Sequence, residues 1–167
     1  MEFIESIAGA NKRLTLPDGG TLDVAIPPGI TEGQVLRLRG KGAPGSGKGG
    51  FGDALIEVEI KPDRSFTRQG DDIYLDLPIT LTEAVLGARI KVPTPTGAVT
   101  MTVPKGSNTG TTLRLRGKGA PKLAGGYGDQ LVKLKVELPK EPDPELEAFV
   151  SSWGGGKAYN PREEVKP

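Results

Sequence analysis

The chain has 167 residues, with 22 Lys and Arg against 21 Asp and Glu, and it contains neither His nor Cys. Without His it lacks the commonest general base, zinc ligand and pH switch, and without Cys it lacks disulfides and thiolate metal sites, so a Ser-His-Asp triad and a His- or Cys-based metal centre are excluded. A formal net charge of +1 gives the surface as a whole no pull on nucleic acid or anionic membrane, and no apolar run approaches the roughly 20 residues that span a bilayer.

Glycine (25) and proline (15) are abundant, and the spacing of the apolar residues decides between disorder and short strands joined by tight turns. Met1–Ala10 carries an early Glu2 and no basic leader, so no signal peptide is read there and a cytoplasmic protein is expected. Phe3–Ala10 (FIESIAGA) reads as a short helical turn. The stretch RLTLPDGGTLDVAIPPG reads as a hairpin: Leu14 and Leu16 alternate with polar residues, Asp18-Gly19-Gly20 turns, and Leu22, Val24 and Ile26 alternate again. QVLRLRG places Leu36 and Leu38 opposite Arg37 and Arg39. DALIEVEIKP alternates Ala54, Ile56, Val58 and Ile60 with Leu55, Glu57 and Glu59. These patterns predict half-buried strands in a mostly antiparallel arrangement.

The second half repeats the plan. LRLRGKGAP occurs at Leu36–Pro44 and again at Leu113–Pro121, 77 residues on, and GGFGD is answered by GGYGD, with Asp129 76 residues after Asp53. Arg89-Ile90-Lys91-Val92-Pro93 is matched to Arg13-Leu14-Thr15-Leu16-Pro17 at an offset of 76, which places one gained residue in the hairpin turn. FIESIAGA is matched to LTEAVLGA (Leu81–Ala88), and there the turn follows an alternating strand, DDIYLDLPI, that has no counterpart before Phe3. A tandem duplication of one β-rich module is predicted. The chain is expected to start one strand into the first copy.

The domains expected are a first module at residues 1–63, a polar linker at 64–72 with Phe66 as its one apolar anchor, a second module at 73–140, and a terminal helix and tail at 141–167. Asp143 can cap that helix, Pro144 suits its first position, and Leu146, Phe149, Val150 and Trp153 fall at i, i+3, i+4 and i+7. Gly154-Gly155-Gly156 is expected to stop it. The fold class predicted is mainly β: two tandem, duplicated, small β-sandwich-like modules with short helical turns and a C-terminal amphipathic helix.

Three kinds of chemistry are conceivable from the motifs. GAPGSGKG at Gly42–Gly49 resembles a phosphate-binding loop, but it ends in Gly where Ser or Thr must hold magnesium, and the second copy, GAPKLAGG, lacks the Gly-Lys pair. Asp53 and Asp129 follow GFG and GYG, where Asp commonly serves turn hydrogen bonding rather than catalysis. Arg37, Arg39, Lys41 and Lys48, with their copies Arg114, Arg116, Lys118 and Lys122, form basic clusters that suit phosphates, although outward Lys and Arg are ordinary on a solvated strand face. The remaining reading is binding through apolar surface, an extended peptide being added to an open sheet edge.

LPITLTEAVLG, VPTPTG and LRLRGKG, in this order from about Gly9 to Pro139, resemble the C-terminal substrate-binding region of DnaJ-type co-chaperones, and YNPRE in the tail is similar to the curved-DNA-binding-protein subgroup. The resemblance implies two β-sandwich-like modules, a client-peptide groove on the first, a C-terminal dimerisation helix, a DnaK-type chaperone as partner, no cofactor and no catalytic activity. The J-domain's His-Pro-Asp motif and the Cys-rich zinc module of one subgroup have no match here. By motif position, the groove implied for unfolded or partly folded clients uses Lys12, Leu14, Leu16 and Ile56, lacking its first strand; Lys12 and Arg13 would anchor the partner's acidic tail. Leu146, Phe149, Val150 and Trp153 would form the homodimer seam. The alternative is a DNA-binding surface made of Arg37, Arg39, Lys41, Arg114, Arg116 and Lys118.

Overall fold

The structure, a computed structural model, describes residues 1–42 and 50–165. The GAPGSGKG stretch lies outside the described residues from residue 43 onward, and Lys48 with it. The first module contains α1 (Phe3–Ala8), β1 (Ala10–Thr15), β2 (Thr21–Ile26), β3 (Val35–Leu38) and β4 (Ala54–Glu57). The second contains β5 (Phe66–Gln69), β6 (Asp72–Thr80), α2 (Leu81–Leu86), β7 (Ala88–Thr94), β8 (Gly97–Val103), β9 (Thr112–Leu115) and β10 (Gln130–Glu137). Both modules lie in one compact unit, and a second unit from Glu137 onward holds α3 (Pro144–Ser152) and α4 (Gly154–Ala158). The fold is mainly β with few helices.

The same local chemistry builds each copy. Glu5 and Glu83, three residues into α1 and α2, accept the backbone N–H of Glu2 and Thr80 at 2.9 Å, as in a capping box. Gly9 and Gly87 close the helices. In each module a hairpin then follows, β1 with β2 and β7 with β8, and a second antiparallel pair, β3 with β4 and β9 with β10.

Register corrects the alignment of the first strands. Ala10 faces Ile26 in β1–β2, and Ala88 faces Val103 in β7–β8. Ala88 therefore answers Ala10 at an offset of 78, so Ile90 answers Lys12 and Val92 answers Leu14. The match of RIKVP to RLTLP is out by two residues, because strand register follows the capping glycine and not the resemblance of short alternating strings. The hairpin turn is one residue longer in the first module, the reverse of the expectation.

Residues 64–72 are not a plain linker. Phe66–Gln69 forms β5, paired antiparallel with β6 across a tight turn at Gly70, whose φ is 62°. The second module thus owns a four-stranded sheet, β5-β6-β10-β9, while the first has only two-stranded pairs. Leu75 and Ile79 of β6, Val92 of β7, Met101 and Val103 of β8, and Val132 and Leu134 of β10 close the second core. A separate cluster joins the modules: Phe3 and Ile7 of α1 pack with Ile73 and Ala120, and the Phe3 and Phe66 rings stack 6.0 Å apart. Arg68 Nη1 donates to the carbonyls of both Gly29 and Ile30 at 3.0 Å, tying β5 to the loop after β2.

In the second unit, Asp143 caps α3 by accepting from Glu145 N and Leu146 N, with Pro144 at the first position as expected. The three glycines do not end helical structure. Trp153 is extended (φ −81°, ψ 101°), and Gly154–Ala158 forms another short helical turn. The indole lies so close to Gly155 and Gly156 that a side chain at either would overlap it, so the glycines serve as a floor for the ring.

Candidate functional site

The open face of the first module holds the expected groove residues in part. Lys12 and Leu14 come from β1, Val24 and Ile26 from β2, and Ile56 from β4; together with Met1 and Glu57-Val58-Glu59 they surround one cavity of about 270 Å³. Lys12, Leu14 and Ile56 share a face because residues two apart on a strand point the same way and Leu14 pairs with Leu22 across the hairpin. Leu16 does not join them. It lines an adjoining hollow of about 420 Å³ with Pro17, Asp18, Lys41, Gly42, Phe51 and Ala54.

Lys12 stands half-exposed at the rim, its Nζ 2.5 Å from Glu5 Oε1. That hydrogen bond, with a second from the Glu2 N–H, holds the Glu5 carboxyl below its ordinary range. Arg13 lies on the other face of β1, where its Nε donates to Asp23 Oδ1 at 2.8 Å. Lys12 and Arg13 are therefore on opposite sides of one strand.

The equivalent positions of the second module are closed. Val92, at the place of Leu14, and Val132, at the place of Ile56, are both 0 % exposed, covered by the core that includes β6. At the corresponding place in the first module stands Met1. Its ammonium donates to Glu59 O at 2.6 Å, and its carbonyl accepts from Lys61 N at 2.9 Å. One residue bonded to both neighbours of Ile60 makes the bonding pattern of a parallel ladder. The sequence held the signal for this closure in the unmatched strand DDIYLDLPI, but Met1, Val24 and Ile26 were not foreseen as lining residues.

The repeated nonamer forms a different device. Arg37 Nη2 lies 2.5 Å from Asp53 Oδ2, and Gly40 N donates to Asp53 Oδ1 at 3.0 Å. In the copy, Arg114 Nη1 lies 2.5 Å from Asp129 Oδ2, and Gly117 N donates to Asp129 Oδ1 at 2.9 Å. Gly40 and Gly117 have φ of 70° and 72°, which a residue with a side chain rarely adopts. A side chain on Gly42 or Gly119 would overlap backbone at Asp53 or at Asp71 and Gly128. The glycine N–H first, and then the guanidinium, hold the Asp53 and Asp129 carboxyls below the ordinary range. Of the six residues considered for nucleic acid, Arg37 and Arg114 are committed to this clamp. Arg39, Lys41 and Arg116 are exposed and Lys118 is half-buried.

On α3, Leu146 is half-buried, whereas Phe149, Val150 and Trp153 are 61 %, 47 % and 44 % exposed. The Phe149 and Trp153 rings lie 6.1 Å apart, and Tyr159 follows 6.5 Å from Trp153, so this face is an aromatic strip. Among the described residues no cluster of acidic side chains suits a metal ion, and no helix is long and apolar enough to cross a membrane.

The profile of the DnaJ C terminal domain family matches residues 1–139. The chain is 41 % identical over 144 residues to a protein of Coxiella burnetii named "Curved DNA-binding protein", covering 86 % of this chain and 45 % of that one. It is 45 % identical over 133 residues to "Chaperone protein DnaJ" of Ruminiclostridium cellulolyticum, covering 79 % and 35 %. It is 40 % identical over 156 residues to "Chaperone protein DnaJ 2" of Synechocystis, covering 93 % and 49 %. The chain thus spans less than half the length of each of these relatives. On the match across most of its length, the chain belongs to the DnaJ C-terminal domain family.

Proposed function

We propose that this chain is a chaperone module that binds exposed apolar segments of unfolded or partly folded polypeptides in the first-module groove and, in the cytoplasm, serves their delivery to a DnaK-type chaperone. The observation that carries the reading is the contrast between the modules. Lys12, Leu14 and Ile56 border a cavity of about 270 Å³, whereas Val92 and Val132, at the places of Leu14 and Ile56, are buried. An open edge beside apolar pockets binds peptides by main-chain hydrogen bonds, while the pockets select side chains. The role is binding, with no chemical step. An acidic tail of the partner entering the groove meets Lys12 alone, since Arg13 lies on the opposite face. The test is suppression of aggregation of a denatured client by the wild-type chain and by Leu14→Ser with Ile56→Ser. Loss of suppression in the double variant, with its circular dichroism unchanged, is expected; equal suppression by both chains would refute the groove.

The aromatic strip of Phe149, Val150 and Trp153, with Leu146 at its border, is proposed as the homodimer seam. Sedimentation should show a wild-type dimer that dissociates in Trp153→Ala; a monomeric wild type rules the seam out.

A second reading, a DNA-binding surface, draws on the name of the Coxiella relative and on the exposed Arg39, Lys41 and Arg116 with the neighbouring Lys118. It predicts a gel shift with duplex DNA that weakens steeply with salt and disappears when these four become Ala. Arg37 and Arg114 are unsuitable probes, because their loss also breaks the clamps.

A further inference from the structure

The joint between the modules uses a corner that each copy builds by itself. In the first module Gly29, with φ of 80°, donates its N–H to Ser6 O at 2.9 Å and to Ile7 O at 3.1 Å. The loop after β2 is thereby fixed to the last turn of α1. In the second module Val103-Pro104-Lys105-Gly106 stands where Ile26-Pro27-Pro28-Gly29 stands in the first. There Gly106, with φ of 77°, donates to Val85 O at 3.2 Å, and Ser107 N donates to Ala84 O at 2.9 Å. This second corner forms although Val85 and Leu86 on its helix are 53 % and 65 % exposed. A corner of this kind therefore holds its shape without a neighbouring module against its helix.

On the first corner the neighbour is Arg68 of β5, whose side chain is only 15 % exposed. Its Nε donates to Gly70 O at 2.7 Å, which pins the guanidinium to the β5–β6 turn of its own module. Its Nη1 spans the carbonyls of Gly29 and Ile30, at 3.0 Å from each, and its Nη2 lies 3.8 Å from Asp71 Oδ1. One planar fork is thus anchored in the second module and grips the first. Beside it Pro121 rests against Gly29, so closely that a side chain there would meet Pro121 O at 3.2 Å. The rest of the joint is apolar, with Phe3, Ile7, Ile73, Ala120 and Phe66. Apolar contact has no direction and lets two surfaces slide. Hydrogen bonds from a rigid fork weaken steeply once their angles change.

We propose that Arg68 is a positioning residue: a clasp that docks onto the ready-made Gly29–Ile30 corner and locks the two modules at one angle. Without it the modules stay joined by the Phe3–Phe66 contact and the connecting chain, but they swing. Lysine does not replace it, because a single ammonium group cannot hold Gly70 O and both corner carbonyls in the geometry of the fork. A locked joint keeps whatever the two modules bind at one fixed spacing, which sets how well a ligand can reach both at once. The inference stands apart from what either module binds.

The clasp is tested on the full chain, which has no cysteine and so takes spin labels only where cysteines are introduced. Ala25→Cys on β2 and Thr102→Cys on β8, both exposed, put one label on each module. The doubly labelled chain, diluted with excess unlabelled chain so that only distances within one molecule are read, should give a single narrow distance distribution. Arg68→Ala and Arg68→Lys should each broaden that distribution and shift its mean, while amide chemical shifts away from the joint stay in place. Amide relaxation should report one shared tumbling time for both modules in the wild type and separate ones in the variants. A broad wild-type distribution, or variants as narrow as the wild type, overturns the clasp. A narrow distribution retained by Arg68→Lys overturns the need for the fork. If Arg68→Ala does not fold, Arg68→Lys alone decides between these outcomes.

Discussion

The two modules began as the same string and are each open where the other is closed. In the second, β6 and β5 complete a four-stranded sheet, and the positions of Leu14 and Ile56 are occupied by fully buried valines. In the first, those positions face a cavity. The helices show the converse: Ile7 of α1 is 2 % exposed in the joint between modules, while Val85, its counterpart on α2, is 53 % exposed. Duplicated sequence therefore does not duplicate surface. What each copy presents is set by which neighbour it has.

The comparison can be broken most forcefully in the cores. Leu134→Ala should cost about 2–5 kcal/mol by leaving a cavity in the closed module, and the equivalent Val58→Ala distinctly less, since fewer atoms are removed from a thinner core. Urea unfolding of both variants checks this, and equal losses would mean that the first module is as well packed as the second. Next in size, Val92→Ala should destabilise by about 2 kcal/mol, as expected for uncovering a buried valine. Leu14→Ala should change stability little and client affinity strongly. Measured side by side, a stability loss in Leu14→Ala matching that of Val92→Ala would place Leu14 in a core rather than a groove.

A third test concerns what the copies share. The folded-state carboxyls of Asp53 and Asp129 titrate below their unfolded values, held down by the glycine N–H and the arginine. Their stabilisation is complete above the ordinary carboxylate range and is lost as pH falls through the lower folded value. Asp53→Asn and Asp129→Asn should each be less stable than wild type at neutral pH, with the gap narrowing once pH drops below about 4. Thermal melts from pH 7 to pH 3 report this directly; a gap that stays constant would assign the effect to shape and not to charge. The smallest effect expected is from Arg39→Ala or Arg116→Ala on stability, within about 0.5 kcal/mol for exposed side chains away from such features. A larger change would show that the nonamer's outer arginines are structural too.

Much of this organisation was legible beforehand. LRLRGKGAP repeats because most of its positions have a contact to keep: leucines inward, Arg37 to Asp53, Gly40 turned and donating, Gly42 against backbone. The Asp–turn role was readable from GFGD, but not its pairing with the first arginine of the nonamer, since the two are separated by a loop. β5 was missed because four residues with one large apolar side chain, Phe66, carry too little periodicity to separate a strand from a polar connection. The two-residue misalignment of β1 with β7 arose because alternation repeats every second residue, so a shift of two leaves the pattern intact and only cross-strand register reveals it. Leu14 and Leu16, alike in sequence, were separated by the shape of the hairpin's end.

The position of β6 next to β10 also has a consequence for when the molecule can be finished. Asp72 and Asp129, which meet there through a hydrogen bond between the Asp129 N–H and the Asp72 carboxylate, are 57 residues apart in the chain. Hairpins close within a few residues of being made, but a ladder between distant strands must wait for its later partner and for the closure of the intervening chain. During synthesis, β6 therefore emerges with one edge unpaired, and that edge stays so until Gln130–Glu137 follows. For that interval the nascent chain displays an alternating apolar strand that is paired along one edge only, with β5.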